Sequence, residues 1–177
     1  PAFSPIRFDT LFLRGFVPND TTVEVWKGEL VAGGFTDPSR ILSRWRAGEV
    51  RIAPPMVVLL NEWSKGLDRL EERVFELTEA YRMGKLHRTY FSPGILLVPL
   101  ETPTQPPATH TNTYVVGESR LFVVDPSPID PEEQSRLWDF LKVLISEGRH
   151  LEGILLTHYH LDHVGALDEM VRQLDVP

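Results

Sequence analysis

The hydrophobic pattern is clearest in the second half of the chain, after residue 110. Residues 113–116 and 121–124 are two short apolar runs separated by a turn at 117–119, and they predict two adjacent strands. Asp130 followed by Pro131 predicts the start of a helix that ends at Gly148. The run 151–157 predicts another strand, and apolar positions over 164–174 recur at helical spacing. This order favours a sheet backed by helices, an α/β (α+β) arrangement.

The first half of the chain predicts two strands and three helices. Residues 6–13 and 21–26 have strand patterns. Asp37-Pro38, Pro54-Pro55 and Asp68 are each expected to open a helix. Two capping boxes are expected, one from Asp68 with Glu71 and one from Asp130 with Glu133. The expected apolar faces of the three helices are Ile41, Leu42 and Trp45; Met56, Leu59, Leu60 and Trp63; and Leu70, Val74, Leu77 and Tyr81. A further strand is expected over 95–98, in a proline-rich segment.

Composition narrows the classes of protein and the kinds of metal site. The net charge of −7 comes from interspersed charges without a basic stripe, so nucleic-acid binding is not favoured. There is no cysteine, which excludes disulfides and thiolate ligands and leaves histidine and carboxylate for any metal. The longest apolar runs, such as 94–100, are too short to span a bilayer. A cytoplasmic protein without membrane contact is expected.

Four side chains that can bind metal fall within six residues, directly after the predicted strand 151–157. His158 and His160 are separated by one residue, so they point the same way from an extended chain and can hold one ion. Asp162 and His163 follow where the chain turns into a helix. The competing interpretation, surface histidines in a loop, fits a lone histidine better than three histidines and an aspartate packed this tightly. The cluster therefore predicts a metal centre at the carboxyl end of a strand.

The sequence around this cluster resembles the metallo-β-lactamase superfamily. T-H-Y-H-L-D-H-V-G at 157–165 resembles the family's T-H-x-H-x-D-H-x-G motif, T-N-T-Y-V-V at 111–116 resembles its N-T-Y-L-V first strand, and V-V-D-P-S at 123–127 resembles its V-D-T-G turn. The likeness covers about residues 91–177 and favours the glyoxalase-II-like or thioesterase-like branch of hydrolases.

The resemblance implies a dinuclear zinc site and a role for each matching residue. His158 and His160 would bind the first Zn²⁺, and Asp162 and His163 the second, with Asp162 also the catalytic partner of the attacking water. Asp125 would lie behind the ligands and orient one of them or a water, and the alternative is an ordinary strand-ending turn carboxylate.

The family completes its site with ligands downstream of this motif, and the fourteen residues after His163 hold no histidine. We therefore expect the 177-residue chain to be a fragment, to hold the two ions in part or not at all, and to show little or no turnover alone.

The first block of the chain has a weaker likeness. R-F-D-T-L-F at 7–12 resembles a late strand of some Nudix hydrolases, a group that includes coenzyme A diphosphatases, and the stretches 28–42 and 54–56 resemble the region beyond their catalytic helix. The metal-binding Nudix box is absent, so the block is either truncated or a degenerate binding module. We expect residues 1–88 to be the C-terminal portion of a Nudix-like α/β unit and residues 89–177 the N-terminal half of a metallo-β-lactamase-like αββα domain.

Three functions stay open at this point. The first is a metal-dependent hydrolase of small-molecule thioesters such as acyl-CoA. The second is an RNA or phosphodiester hydrolase, which the same pair of metals could serve. The third is a non-catalytic binding module. A half-built fold would expose apolar faces, so self-association into a homo-oligomer is also expected.

Overall fold

A computed structural model of the chain describes residues 10–26, 28 and 30–174. These residues form a five-stranded sheet and six helices, so the predicted α/β class is confirmed. The strands are β1 (Thr89–Ser92), β2 (Ile95–Glu101), β3 (His110–Val116), β4 (Arg120–Val124) and β5 (His150–Leu155). The helices are α1 (Pro38–Arg46), α2 (Pro54–Ser64), α3 (Leu70–Arg82), α4 (Pro131–Ser146), α5 (Leu161–Val164) and α6 (Leu167–Leu174).

The strands lie in the sheet in chain order. β1 to β4 pair antiparallel through short connections, whereas β5 pairs parallel with β4 after the crossover through α4. Parallel pairing places the carboxyl ends of β4 and β5 at the same edge of the sheet. The Asp125 amide donates to the Leu155 carbonyl over 2.9 Å and continues that pairing by one residue. The residues that follow the two strands are therefore neighbours.

The core lies between one face of the sheet and the helices α4 and α6. Alternate positions of the strands are buried, as expected for a sheet covered on one face. α4 contributes Leu137, Phe140, Leu141 and Leu144 to this core, whereas Ile145 is 38% exposed. The buried residues of this core are Leu96, Val98, Leu100, Val115, Leu121, Val123, Leu137, Phe140, Leu141, Leu144, Ala166 and Met170.

The Asp130 cap of α4 is confirmed, and the predicted capping box is wrong. The Asp130 carboxylate accepts from the amides of Glu132 and Glu133. The Glu133 side chain does not return to the cap, because it accepts from the Glu101 amide over 3.1 Å and pairs with Arg136. Glu133 thus ties α4 to the end of β2.

The three predicted N-terminal helices are present, and two details of them differ. In α2 the buried side chain is Val57, whereas Trp63, expected in the apolar face, is 41% exposed. The capping box of α3 is wrong because Arg69, with φ 56°, occupies the cap position and no side chain caps the helix. A small core of Leu42, Trp45 and Val57 joins α1 to α2, and Trp45 packs edge-to-face on Tyr90 of β1 at 5.7 Å.

The two strands expected before residue 27 are not supported by the described residues. The prediction for 6–13 lies partly outside them, and 10–13 as well as 21–26 carry no strand. Leu11 is 82% exposed and Trp26 is 76% exposed. An alternating pattern forms a strand only when a partner strand accepts its backbone hydrogen bonds, and no described strand lies beside these segments. The division at 88/89 and the Nudix likeness stay predictions.

The single helix expected over 164–174 is two helices with a break at Gly165. A Cβ on Gly165 would lie 2.7 Å from the Ile129 side chain and 2.8 Å from its backbone nitrogen, so the segment 128–129 passes directly over this position. The break lets the Ala166 amide donate to the Pro126 carbonyl over 2.9 Å. In the part of the chain that the structure describes, no helix combines the length and the apolar character needed to cross a membrane.

Candidate metal centre

The four residues predicted to bind metal lie in the segment after β5 and in the single turn of α5. His158 and His160 are exposed, and Asp162 and His163 are half-buried. Asp125 follows β4 at the same edge of the sheet and is only 4% exposed. The parallel pairing of β4 with β5 thus brings all five predicted site residues into one region.

Asp125 lies at the centre of the hydrogen bonds in this region. Its Oδ1 accepts from the Thr157 amide over 2.7 Å, and its Oδ2 accepts from the Thr157 hydroxyl over 2.6 Å. The same Oδ2 lies 3.0 Å from His163 Nδ1. The backbone of Asp125 has φ 52°, a left-handed conformation that aspartate tolerates better than most residues. This turn directs the carboxylate across to the segment after β5.

Asp125 is ionised at neutral pH. Burial raises the pKa of its carboxyl, but the hydrogen bonds from Thr157 and the neighbouring His163 together hold that pKa below its ordinary value. An ionised carboxylate only accepts hydrogen bonds, so both Thr157 groups and His163 Nδ1 donate to it.

The donors of these bonds determine which nitrogen of each imidazole carries the proton. Since the Thr157 hydroxyl donates its one proton to Asp125, it accepts from His158 Nδ1, which lies 2.9 Å away. His163 Nδ1 likewise donates to Asp125. In the neutral rings, Nε2 of both histidines therefore keeps a lone pair, which is the form that binds metal.

His158 and His160 are arranged as a pair that can share one ion. His158 Nε2 lies 3.1 Å from His160 Nδ1, and the ring centroids are 4.6 Å apart. Two donors at about 2.1 Å from a tetrahedral Zn²⁺ lie roughly 3.4 Å apart. The observed separation is close to this value, so the two nitrogens fit a shared cation.

Asp162 and His163 form a second pair. Asp162 Oδ2 lies 3.9 Å from His163 Nε2, slightly more than the tetrahedral value. Partial burial raises the pKa of the Asp162 carboxyl, but hydrogen bonds from the Thr104 hydroxyl, its own backbone and Thr111, together with His163, lower it overall. The ionised carboxylate and the imidazole lone pair are both suitable ligands.

A third group of possible ligands takes one histidine from each of these pairs and adds Asp125. Asp125, His158 and His163 each offer a ligand atom within 4.8 Å of the other two. His158 and His163 of the predicted set therefore lie close together, with Asp125 close enough to bind metal as well as to orient His163. All of these donors are nitrogen or oxygen, which suits Zn²⁺ and other divalent ions of the first transition row.

Sequence reasoning missed Thr157, Thr111 and Thr104, whose hydroxyl groups contact the two carboxylates. The threonine of the T-H-x-H motif could have identified Thr157. Thr104 and Thr111 carry no such signal, because they lie in the segment after β2 and in β3, and only the folded chain brings them to Asp162.

Comparisons with known proteins agree with the resemblance in the C-terminal part of the chain. Residues 106–177 match the family model described as the metallo-β-lactamase superfamily. The β-lactamase-like protein 2 homologue of Caenorhabditis elegans is 34% identical over 65 residues, which cover 36% of this chain and 21% of that protein. The probable metallo-hydrolase YflN of Bacillus subtilis (strain 168) is 33% identical over 69 residues, which cover 37% of this chain and 26% of that protein.

The match to these relatives covers only 21% and 26% of their lengths. The crystal structure of the B3 metallo-β-lactamase BLEG-1 is 30% identical with a TM-score of 0.35, and the alignment covers 47% of this chain and 34% of that one. With a TM-score this low, that structure adds nothing to the fold described above.

Proposed function

We propose, from the match of residues 106–177 to the metallo-β-lactamase superfamily model, that the protein is a metal-dependent hydrolase with its metal centre in the segment after β5. In the complete protein His158 and His160 would hold one divalent cation, and Asp162 and His163 a second. Zn²⁺ is the proposed ion because the donors are imidazole and carboxylate groups at separations close to those of a tetrahedral site.

The observation that carries this proposal is the set of hydrogen bonds around Asp125. They leave His158 and His163 with unprotonated Nε2 atoms while Nδ1 of each ring is engaged. Histidines that merely lie in a surface loop have no reason to be tied to one buried carboxylate, His163 directly and His158 through the Thr157 hydroxyl. Metal-binding histidines commonly donate their other ring nitrogen to a carboxylate or a similar acceptor.

We assign Asp125 the role of orienting the ligands. Its two oxygens already accept three hydrogen bonds, from two groups of Thr157 and from His163. An ion bound directly to Asp125 would have to compete with these donors. In the proposed arrangement the buried carboxylate instead orients His163 directly, by accepting from its Nδ1, and His158 indirectly, through the Thr157 hydroxyl.

Metal ions at such a centre supply Lewis acidity and make a hydroxide nucleophile accessible at neutral pH. Asp162 would orient the attacking water and hold its proton, since its carboxylate is ionised and partly exposed. The exposed His158, His160 and Tyr159, of which Tyr159 is 84% exposed, leave this side of the centre open to a substrate.

The proposed substrate class is a small-molecule thioester such as acyl-CoA. Support for it comes from the likeness of the first block to coenzyme A diphosphatases and from the net charge of −7, which does not favour an RNA backbone. We also propose that the 177-residue chain alone shows little or no turnover, since two ions in the complete site would need ligands beyond the four near α5.

The test uses the gene product that carries this chain, loaded with Zn²⁺. We expect release of thiol from acyl-CoA, and we expect the substitution His158→Asn to lower kcat/KM at least about a hundredfold. His150→Asn is the matched control, since His150 is exposed at the opposite end of β5. Hydrolysis of an RNA oligonucleotide in preference to thioesters would overturn the substrate, and full-rate hydrolysis by the 177-residue chain would overturn the proposed inactivity.

A further inference from the structure

Asp162 is held from behind by a short chain of buried threonine hydroxyl groups. Thr111, in β3, is 8% exposed, and its Oγ1 lies 3.3 Å from Asp162 Oδ2. Thr102, which follows β2, is 7% exposed, and its Oγ1 lies 2.8 Å from Thr111 Oγ1. The two hydroxyl groups and the carboxylate thus form a continuous series of hydrogen bonds.

The direction of these bonds follows from the number of protons. The Thr111 hydroxyl donates to the Asp162 carboxylate, whose oxygen accepts. The hydroxyl of Thr111 has one proton, and that proton is now used. The bond between the two threonines is therefore donated by Thr102, and each bond in the series polarises the next in the same direction.

α5 needs this support because it is a single turn. It spans four residues, and no side chain caps its first amides. Its backbone is held through the His160 carbonyl, which accepts from the amides of His163 and Val164 over 2.8 and 3.2 Å. A helix this short is not stable by its own hydrogen bonds, so contacts from outside the helix, from Thr111 in β3 and from Thr104, determine where Asp162 points.

We propose that Thr111, with Thr102 behind it, is a positioning residue that fixes α5 and the carboxylate of Asp162 for metal binding. The first part of this inference, the ordering of α5, stands on the hydrogen bonds alone. The second part rests on the proposed function, because it requires Asp162 to be a metal ligand. Thr111 does not touch the proposed ions, and it acts through Asp162.

The first experiment uses the metal-free 177-residue chain. Thr111→Val keeps the shape of the side chain and removes the hydroxyl, and Thr111→Ser keeps the hydroxyl. We expect amide hydrogen exchange at His163 and Val164 to become about tenfold faster in Thr111→Val, the size expected for loss of one hydrogen bond to a charged group. Thr111→Ser should restore slow exchange. Thr78→Val is the control, since Thr78 is exposed on α3 and bonds only to its own helix.

The second experiment introduces the same three substitutions into the gene product that carries this chain, titrates that protein and its variants with Co²⁺, and records the visible absorption of the bound ion. We expect Thr111→Val to weaken binding about tenfold and to change the spectrum, with both restored in Thr111→Ser.

Unchanged exchange in a folded Thr111→Val would overturn the ordering of α5. Faster exchange with unchanged Co²⁺ affinity would overturn the role in metal binding, and absence of Co²⁺ uptake by every protein, with the exchange result intact, would overturn the proposed function instead. Thermal unfolding of each variant identifies any that does not fold. If Thr111→Val does not fold, Thr102→Val replaces it, and we expect smaller changes in exchange rate and in Co²⁺ affinity in the same direction.

Discussion

Asp125 Oδ2 lies 3.0 Å from Nδ1 of His163, although the two residues are separated by 38 positions in the chain. The parallel pairing of β4 with β5 makes this contact possible, because the turn after each strand lies at the same edge of the sheet. The carboxylate is buried and the imidazole is half-buried, so the bond is shielded from solvent. It directs Nε2 of His163 away from Asp125 and towards Asp162.

Asp125→Asn in the gene product that carries this chain should weaken Zn²⁺ binding by about ten- to a hundredfold. The amide can still accept from the Thr157 backbone, but it cannot serve as a charged acceptor for His163 and the Thr157 hydroxyl together. Competition with a chelator of known affinity measures the change. Asp139→Asn is the matched control, since Asp139 is exposed on α4. An affinity equal to that of the unmodified chain would show that Asp125 does not orient the ligands.

The stability of the metal-free chain should depend on pH through Asp125. Its pKa is lowered in the folded state from the ordinary value of 3.8, because the hydrogen bonds from Thr157 and His163 outweigh burial. A lowered pKa contributes stability that is fully present above the unfolded value and is lost as the pH falls through the folded value. Urea unfolding between pH 5 and roughly pH 2 should therefore show a loss of free energy of unfolding that is smaller in Asp125→Asn. Equal pH dependence in both proteins would contradict this assignment.

Thr157→Val should change the protonated nitrogen of His158. The Thr157 hydroxyl donates to Asp125 and so accepts from His158 Nδ1, which keeps Nε2 unprotonated in the neutral ring. Long-range ¹⁵N–¹H spectra of the imidazole at neutral pH report which nitrogen carries the proton. We expect the neutral form of the ring to be protonated at Nδ1 in the unmodified chain and to be a mixture of both forms in the variant. A ring protonated at Nε2 in the unmodified chain would contradict the proton assignment.

Sequence patterns predicted the capping residues of two helices. Asp37 and Asp130 were expected to cap helices, and both carboxylates accept from the first amides of α1 and α4. A cap involves residues two or three positions apart, so the chain carries the whole signal locally. The capping box of α3 failed for a physical reason, since the left-handed backbone of Arg69 separates Asp68 from the helix.

Contacts between distant segments could not be predicted in the same way. The T-H-x-H-x-D-H motif located the candidate site, but the hydrogen bond from Thr157 to Asp125 spans 32 positions and requires the register of two parallel strands. The pattern at 21–26 predicted a strand, and the structure has none there. The alternation of apolar and polar residues is visible in the sequence, whereas the absence of a neighbouring strand is not.

Gly165→Ala should destabilise the chain by about 1–3 kcal/mol, because the added methyl group would overlap the backbone and side chain of Ile129. The same position separates α5 from α6, so the strain would also displace the turn that carries Asp162. Urea unfolding measures the change in free energy. Gly34→Ala is the control, because a Cβ there meets no atom within 4 Å. Equal effects at the two positions would show that the close approach at Gly165 is unimportant.

The metal content of the gene product that carries this chain tests the central claim most directly. We expect two Zn²⁺ per chain after dialysis against metal-free buffer, measured by mass spectrometry of the elements, and at most one in the double variant His158→Asn/His160→Asn. The matched control His87→Asn/His150→Asn, with both histidines outside the centre, should keep both ions. A protein that retains no metal, or a site variant that retains as much as the control, would contradict the account.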